Sequence, residues 1–468
     1  MDVALRGGTM LTMDDGRLGI VGDGAVGVVD GRITYVGAAS DLDDTAVDRI
    51  VDTSGCVVTP GLVNAHTHMP LTLCRGGAQD VPEIEWMRRA LAPVRNAMTD
   101  ADRIAGSRLG ALETIASGVT TICEYTSDVA NLVETVYEPL GVRIAAVETI
   151  NEVGTGHSGD PDDPYPFDAA KGDAAEERAE ALFEKYGEHA LVEPAYGPQA
   201  LDMVRPERLE RLHERATDDD RKLHVHVAQG EREARQIAAR YDGHSTVEVL
   251  EELGLADDRL VAVHLHGASV DERRRLAESD VSMVGNPSSI AAIDGITPPV
   301  VDYGAAGGTV ALGTDQAPGP GGHDFNAELR IASLLSKTDR TDPMAFPAWT
   351  ALRAGTVGGA DALGIGVGRL AEGAPADIAV FEPGLGAAPF VEEPFHTAIP
   401  NVVFGSPRTR DVLVEGRFLV RDGTFVDADP EAAVADAEAR AAALFERAEA
   451  DWRAAGSELV DAVDDGWL

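Results

Sequence analysis

Lysine is nearly missing from this chain. Only Lys171, Lys185, Lys222 and Lys337 occur in 468 residues. Basic residues number 39 against 80 acidic ones, a formal net charge of −41. A chain so negative does not take a nucleic-acid backbone or an anionic membrane as its main partner. Cysteine is scarce too. Cys56, Cys74 and Cys123 are too few and too scattered for a disulfide framework or a Cys-based zinc site. No apolar run approaches ~18 residues, so no spanning helix is expected. The opening MDVALRGGTMLTMDDG lacks a basic segment followed by an apolar one, so no secretory leader is expected. These absences point to a soluble protein of the cytoplasm.

Apolar residues make up 44% of the chain, enough for a sizeable core. The length suits one large domain with a smaller one. An acidic, Ala/Gly-rich, lysine-poor composition resembles that of cytosolic proteins from salt-loving microbes. Concentrated salt would screen the self-repulsion of such a chain.

Residues 1–57 carry short β-rich runs cut by Asp14-Asp15-Gly16 and Asp30-Gly31, which is hairpin punctuation. The same texture returns at Ala376–Phe381, Asp411–Glu415 and Arg417–Val420. Two β-rich ends predict one small β-sandwich domain built from residues 1–57 and 369–427. Between them, residues 58–368 alternate apolar runs with helical patterns. The strand candidates are Val57–Val63, Val119–Cys123, Arg143–Val147, Leu191–Glu193, Leu223–Ala228, Leu260–His264, Val281–Val284 and Thr309–Gly313. Eight such units predict an α/β fold of the (β/α)8 TIM-barrel type. No Gly-x-Gly-x-x-Gly follows the first strand, which lowers a dinucleotide-binding alternative. Residues 428–468 are expected to form an exposed helical tail.

The chemistry gathers at the strand ends. His66 and His68 are two apart and face the same side of a strand. His226 lies near the end of the fifth strand, His264 ends the sixth, and Asp315 follows the eighth. Barrel enzymes place their active sites at these C-terminal ends. Four imidazoles and a carboxylate suit a metal with N/O ligands, zinc or iron.

These residues also carry a resemblance. Thr59-Pro-Gly-Leu-Val-Asn-Ala-His-Thr-His68, with Thr72-Leu-Cys-Arg-Gly76, resembles the opening motif of the amidohydrolase superfamily. Asn286-Pro-Ser-Ser289, Gly295–Val300, Leu312-Gly-Thr-Asp315 and Gly368–Asp377 are similar to its aminohydrolase and chlorohydrolase branch. That branch includes methylthioadenosine/adenosylhomocysteine deaminases and triazine hydrolases. The resemblance implies one divalent metal, zinc or alternatively iron, held by His66, His68, His226 and Asp315. His264 would be the catalytic histidine beside it, with His266 a weaker occupant of that role, and Asp315 would also accept a proton. Binuclear members use a strand-four lysine; none lies near Leu191–Glu193, so a single metal is expected. His224 reads as a packed core histidine. His323, after Pro318-Gly-Pro-Gly-Gly322, reads as a loop residue, either solvated or touching substrate.

Three positions leave the branch pattern. Gln229 stands where deaminases carry a proton-shuttling Glu. Gln199 stands for a His after strand four. Arg95 stands where nucleoside deaminases grip ribose with an acid, and would suit an anionic group. Gln229, Gln199 and Arg95 are therefore the expected substrate-binding residues, and Glu231 and Glu233 are expected on the surface. The leading reading is a metal-dependent hydrolase that deaminates a heterocyclic or nucleoside-like substrate. The alternatives are dechlorination or dealkylamination of a triazine-like ring, and a catalytically silent relative that binds metal and ligand. The partner is a small molecule; the sequence leaves a homo-oligomer open.

Overall fold

The computed structural model describes every residue except 15, 79–80, 82–85, 156–159, 317–321, 388–401 and 468. The glycine–proline run from Pro318 to Gly321 thus lies outside the described residues.

Eight parallel strands form the barrel: β1 (Leu62–Thr67), β2 (Val119–Thr126), β3 (Arg143–Ile150), β4 (Val192–Pro198), β5 (Leu223–Val227), β6 (Leu260–His264), β7 (Ser282–Gly285) and β8 (Val310–Leu312). The order in the sheet is the order in the chain. Residues of these strands are almost all buried, as parallel strands covered by helices must be. Closure between β8 and β1 is made by main-chain bonds that involve the chemistry-bearing residues. Asp315 N–H donates to the His66 carbonyl at 2.9 Å, and His68 N–H donates to the Asp315 carbonyl at 2.9 Å. The seam that shuts the barrel therefore brings three of the expected metal ligands together.

The second sheet has nine strands drawn from both termini. Ile378–Glu382 pairs antiparallel with Val57–Pro60, which pairs parallel with Val3–Leu11. Leu5, Val26, Ile33, Val58, Ile378 and Leu413 share its core. One expected strand is divided here. Val57–Pro60 belongs to the terminal sheet, and only Leu62–Thr67 enters the barrel. The switch falls at Gly61, where a Cβ would meet Thr120 Oγ1 at 1.9 Å. No larger residue could make that passage without moving β2.

The sheet is fastened to the base of the barrel by a buried ion pair. Arg143, the first residue of β3, donates to Asp377 through Nε at 2.8 Å and through Nη2 at 3.2 Å. The C-terminal helix Pro430–Ala455 is less exposed than expected. Ala433, Ala437, Leu444 and Ala448 form a buried stripe, and Arg447 bonds the buried Asp102 of helix α1 (Asp100–Ala116). Spacings of four and seven put these small side chains on one helix face.

Candidate metal centre and cavity

His66, His68 and His226 converge at the C-terminal mouth of the barrel. Their ligand atoms lie within 4.8 Å of one another. His66 Nε2 and His226 Nε2 are 3.2 Å apart. Asp315 Oδ1 is 3.4 Å from His68 Nε2 and 3.7 Å from His66 Nε2. Four donors at bond lengths of about 2 Å around one tetrahedral ion stand roughly 3.3 Å from each other. The His66–His226 and His68–Asp315 separations fall near that spacing, and the three histidines as a group are looser, within 4.8 Å.

The tautomers match as well. His68 Nδ1 donates to the Tyr125 carbonyl and His226 Nδ1 to the Gln199 carbonyl, both at 2.7 Å. A carbonyl only accepts, so each ring keeps its proton on Nδ1 and turns the Nε2 lone pair inward. Burial is the main force that lowers the pKa of all three rings, and for His66 and His226 mutual repulsion among the rings adds to it. The imidazoles are neutral, the form that binds a metal. Burial raises the Asp315 pKa, while the nearby His68 ring and the Ser289 bond act the other way. Ser289 Oγ donates to Asp315 Oδ2 at 2.7 Å, which leaves Oδ1 for the histidines.

His264 stacks on His226 with ring centroids 5.4 Å apart. The Asn286 amide donates to its Nδ1 at 3.3 Å, so the ring proton sits on Nε2. That Nε2 is buried without a partner among the described residues. An orphaned donor beside a metal site is what a reacting group would satisfy. The backbone there is strained: His264, Leu265, Ala228 and Asp315 have φ of 84°, 55°, 48° and 57°. Such conformations cost about 1–3 kcal/mol each and cluster at functional sites.

Above these residues opens a cavity of about 960 Å³, lined in part by His68, His226, Asp315, Gln199, Gln229 and Arg95. The three expected substrate-binding residues thus share one cavity with the mouth histidines. Gln199 Oε1 accepts from Asn151 Nδ2 at 2.7 Å. His266 is not among the lining residues; its Nε2 is 3.9 Å from Asp294 Oδ2.

Three expectations change. His224 is no mere core histidine. Its Nε2 lies 3.1 Å from His66 Nδ1, and its Nδ1 lies 3.8 Å from Cys123 Sγ. It holds His66 as the carbonyls hold His68 and His226. Its position two residues before His226 on β5 was the available signal. Glu233 is not on the surface. It is fully buried in helix α2 (Glu231–Arg240), and its carboxylate accepts from Ala228 N–H at 3.1 Å and Gln229 N–H at 2.7 Å. A Glu in the first helical turn curls back to cap the end of β5. Glu231 is exposed, as expected. His323 is neither solvated nor in the cavity lining. It is fully buried between Thr72 Oγ1 at 3.1 Å and Thr314 Oγ1 at 2.8 Å.

Comparison with known proteins decides the family. Residues 57–419 match the model of the amidohydrolase family. The chain belongs to that family. A methylthioadenosine/S-adenosylhomocysteine deaminase of Syntrophobacter fumaroxidans is 34% identical over 90% of this chain and 93% of its own. Among solved structures, an adenosine deaminase from Xanthomonas campestris with bound zinc superposes with a TM-score of 0.85. It is 28% identical and covers 95% of this chain and 98% of its own. Atrazine chlorohydrolase from Arthrobacter aurescens, complexed with zinc, gives 0.83 at 26% identity, covering 94% and 100%. This amidohydrolase is a metal-dependent hydrolase of carbon–nitrogen bonds other than peptide bonds, and its histidine cluster offers ligand atoms to a divalent metal. No helix among the described residues is long and apolar enough to cross a membrane.

Proposed function

We propose that this amidohydrolase deaminates a heterocyclic, nucleoside-like amine in the cytoplasm, using one zinc ion held by His66, His68, His226 and Asp315. The observation that carries this reading is the cluster of neutral imidazoles and one carboxylate at ligand spacing on the wall of a substrate-sized cavity. When bound, the ion lowers the pKa of a coordinated water and makes it a nucleophile near neutral pH. Asp315 accepts the water proton, and Ser289 Oγ, which donates to its Oδ2, holds the carboxylate in place. His264 Nε2–H donates to the group that gains negative charge as the ring carbon is attacked. One water proton passes through Asp315 to the departing amine and the other ends on the adjacent ring nitrogen, so that water and the ring N=C–NH2 unit become a ring HN–C=O unit and ammonia. Gln229 contributes a hydrogen bond to a ring heteroatom, because an amide does not exchange protons at physiological pH.

Loss of chloride or an alkylamine from a triazine-like ring is the second reading. The likeness to atrazine chlorohydrolase and the amide at Gln229 favour it. The lysine-poor, −41 composition supports activity in concentrated salt. The test is release of ammonia or chloride from purines, pterins and chlorinated triazines by zinc-loaded protein in about 1 M salt, where screening is strong. Ammonia from a purine-like ring, lost on chelation and regained with zinc, is the expected result. Chloride release alone would move the enzyme to the second reading. Two zinc ions per chain by elemental analysis would end the single-metal assignment.

A further inference from the structure

The cavity carries the opposite charge to the chain. Asp315 is the only acid among its described lining residues, whereas Arg88, Arg95, Arg103, Lys171, Arg178 and Arg232 all line it. Two of these cations are already matched. Arg178 Nε lies 2.7 Å from Glu148 Oε1, and Arg232 bonds Asp202. The others pair with no carboxylate among the described residues. Arg103 donates to Thr126 Oγ1 at 3.3 Å and to the Ser127 carbonyl. Lys171 donates to the Val153 carbonyl at 2.7 Å. Among the described residues, Arg95 donates to the Met87 thioether at 3.8 Å.

That pattern departs from the rest of the molecule. With 80 acids to 39 bases, most arginines elsewhere reach a carboxylate, although Arg32, Arg330 and Arg353 bond carbonyl or hydroxyl oxygens instead. Arg211 sits on Glu176, Arg235 on Asp162, Arg275 on Glu251 and Arg408 on Glu382. Among the described residues, the cavity offers Arg88, Arg95, Arg103 and Lys171 no such partner. Its walls also include Leu71, Trp86, Leu91 and Tyr125, which keep the local dielectric low and strengthen any charge interaction there. The Arg95 side chain opens to the cavity, yet enough protein surrounds it that desolvation pulls its pKa down, as for a cation without an anion. Arg95 and His68 line the same cavity, which puts the guanidinium on the wall that holds the histidine cluster.

We infer that the substrate carries a negatively charged arm, a carboxylate or a phosphate, on the ring that loses its amine, and that Arg95, Arg103 and Lys171 receive that arm. This rests on the aminohydrolase reading of the same site. A neutral ring would leave Arg95, Arg103 and the solvent-exposed Lys171 without a carboxylate among the described residues, whereas an anionic arm satisfies them by charge-assisted bonds. A volume near 960 Å³ has room for a bicyclic ring and its arm together.

The experiment is calorimetric titration of zinc-loaded protein with matched probes: adenosine against adenosine 5′-monophosphate, pterin against pterin-6-carboxylate, and pyrophosphate alone. Ammonia release is followed in parallel. In at least one pair the charged member is expected to bind about tenfold tighter or more, a difference of about 1.4 kcal/mol. Arg95→Gln and Lys171→Gln should each shrink that gap, so a failure of one variant to fold still leaves the other. The two pairs separate a phosphate arm from a carboxylate arm. Binding of charged probes or pyrophosphate without ammonia release would keep the anion site and overturn the deaminase reading. Equal binding and turnover of neutral and charged members would do the reverse. Failure of every charged probe and of pyrophosphate to bind would sink the anion site.

Discussion

The two ends of the barrel treat polar groups in opposite ways. At the base, Arg143 gives Nε and Nη2 to Asp377 and Nη1 to the Ala190 carbonyl at 2.7 Å, with Glu415 3.3 Å away. The Asp377 carboxylate also accepts from Glu415 N–H at 2.9 Å. Those two charges are buried and saturated. At the mouth, His264 Nε2 has no partner among the described residues, Asp315 Oδ1 stands among imidazoles, and four residues hold left-handed backbone. The base spends its hydrogen bonds on joining two sheets. The mouth leaves its donors and acceptors open for a metal and a reacting ring. Saturation thus marks the structural end and incompleteness the chemical end.

The largest effect expected from breaking this contrast is at the mouth. Asp315→Ala removes a carboxylate from the cluster and the proton acceptor together. Turnover should fall by about a thousandfold or more. Circular dichroism should show the fold retained, because the seam bonds of residue 315 are main-chain bonds. A variant that keeps even a tenth of wild-type rate would break the assignment.

At the base the effect is on stability instead. Arg143→Ala strands the buried Asp377 carboxylate, which costs about 3–5 kcal/mol in denaturant unfolding. Activity per folded molecule should persist. Arg143→Met with Asp377→Leu should recover most of the loss, since removing both charges leaves none unpaired. If the double variant is as unstable as the single one, the pair is doing something other than neutralising itself.

A third comparison uses pH. Glu124 lies on β2 and accepts from Tyr137 Oη at 2.7 Å, Met69 N–H at 3.1 Å and Thr67 Oγ1 at 3.3 Å. Burial nonetheless raises its pKa from the ordinary 4.5 to about 7. Between those values the folded chain keeps a proton that the unfolded chain has lost. The stability this group contributes is therefore full below about pH 4.5 and lost as pH rises through about 7. Its share is about 3 kcal/mol at most. Glu124→Gln can keep the accepted bonds through its carbonyl and should remove that share of the slope in unfolding midpoints measured across the window. An unchanged slope would mean that the carboxylate is ionised throughout.

Much of the mouth was legible in the sequence because its signals are local. His66 and His68 share a strand face by alternation, and His226, His264 and Asp315 fall at strand ends that the apolar runs mark out. What was not legible depends on contacts across the fold. Nothing in Val57–Val63 says that the run changes sheets at Gly61; that needs the Thr120 side chain against it. His323 reads as a loop residue until Thr72 and Thr314 close on it. Glu233 reads as surface because its helix is charged, yet its carboxylate turns back to the strand end. The Pro430–Ala455 helix hides its packed stripe because alanine gives little apolar contrast.

The smallest expected effect tests whether the support behind the metal cluster matters as much as the cluster. His66 differs from His68 and His226 in what steadies it: another imidazole, where theirs is a carbonyl. Burial lowers the His224 pKa to about 3, so the ring is neutral and carries one proton. If that proton is on Nδ1, toward Cys123, Nε2 accepts from His66 Nδ1–H and frees His66 Nε2 for the metal. His224→Leu would fill the space but leave a buried His66 N–H unpaired. Zinc affinity, measured by competition with a chromophoric chelator, should drop about 10–100-fold. His224→Gln restores an acceptor and should recover part of that loss. Equal affinity in the Leu variant and the wild type would return His224 to the role of packing residue. Equal losses in Leu and Gln would show that ring shape, not the hydrogen bond, sets the His66 orientation. Only a graded order, wild type above Gln above Leu, fits a metal ligand held in place by the proton it gives away.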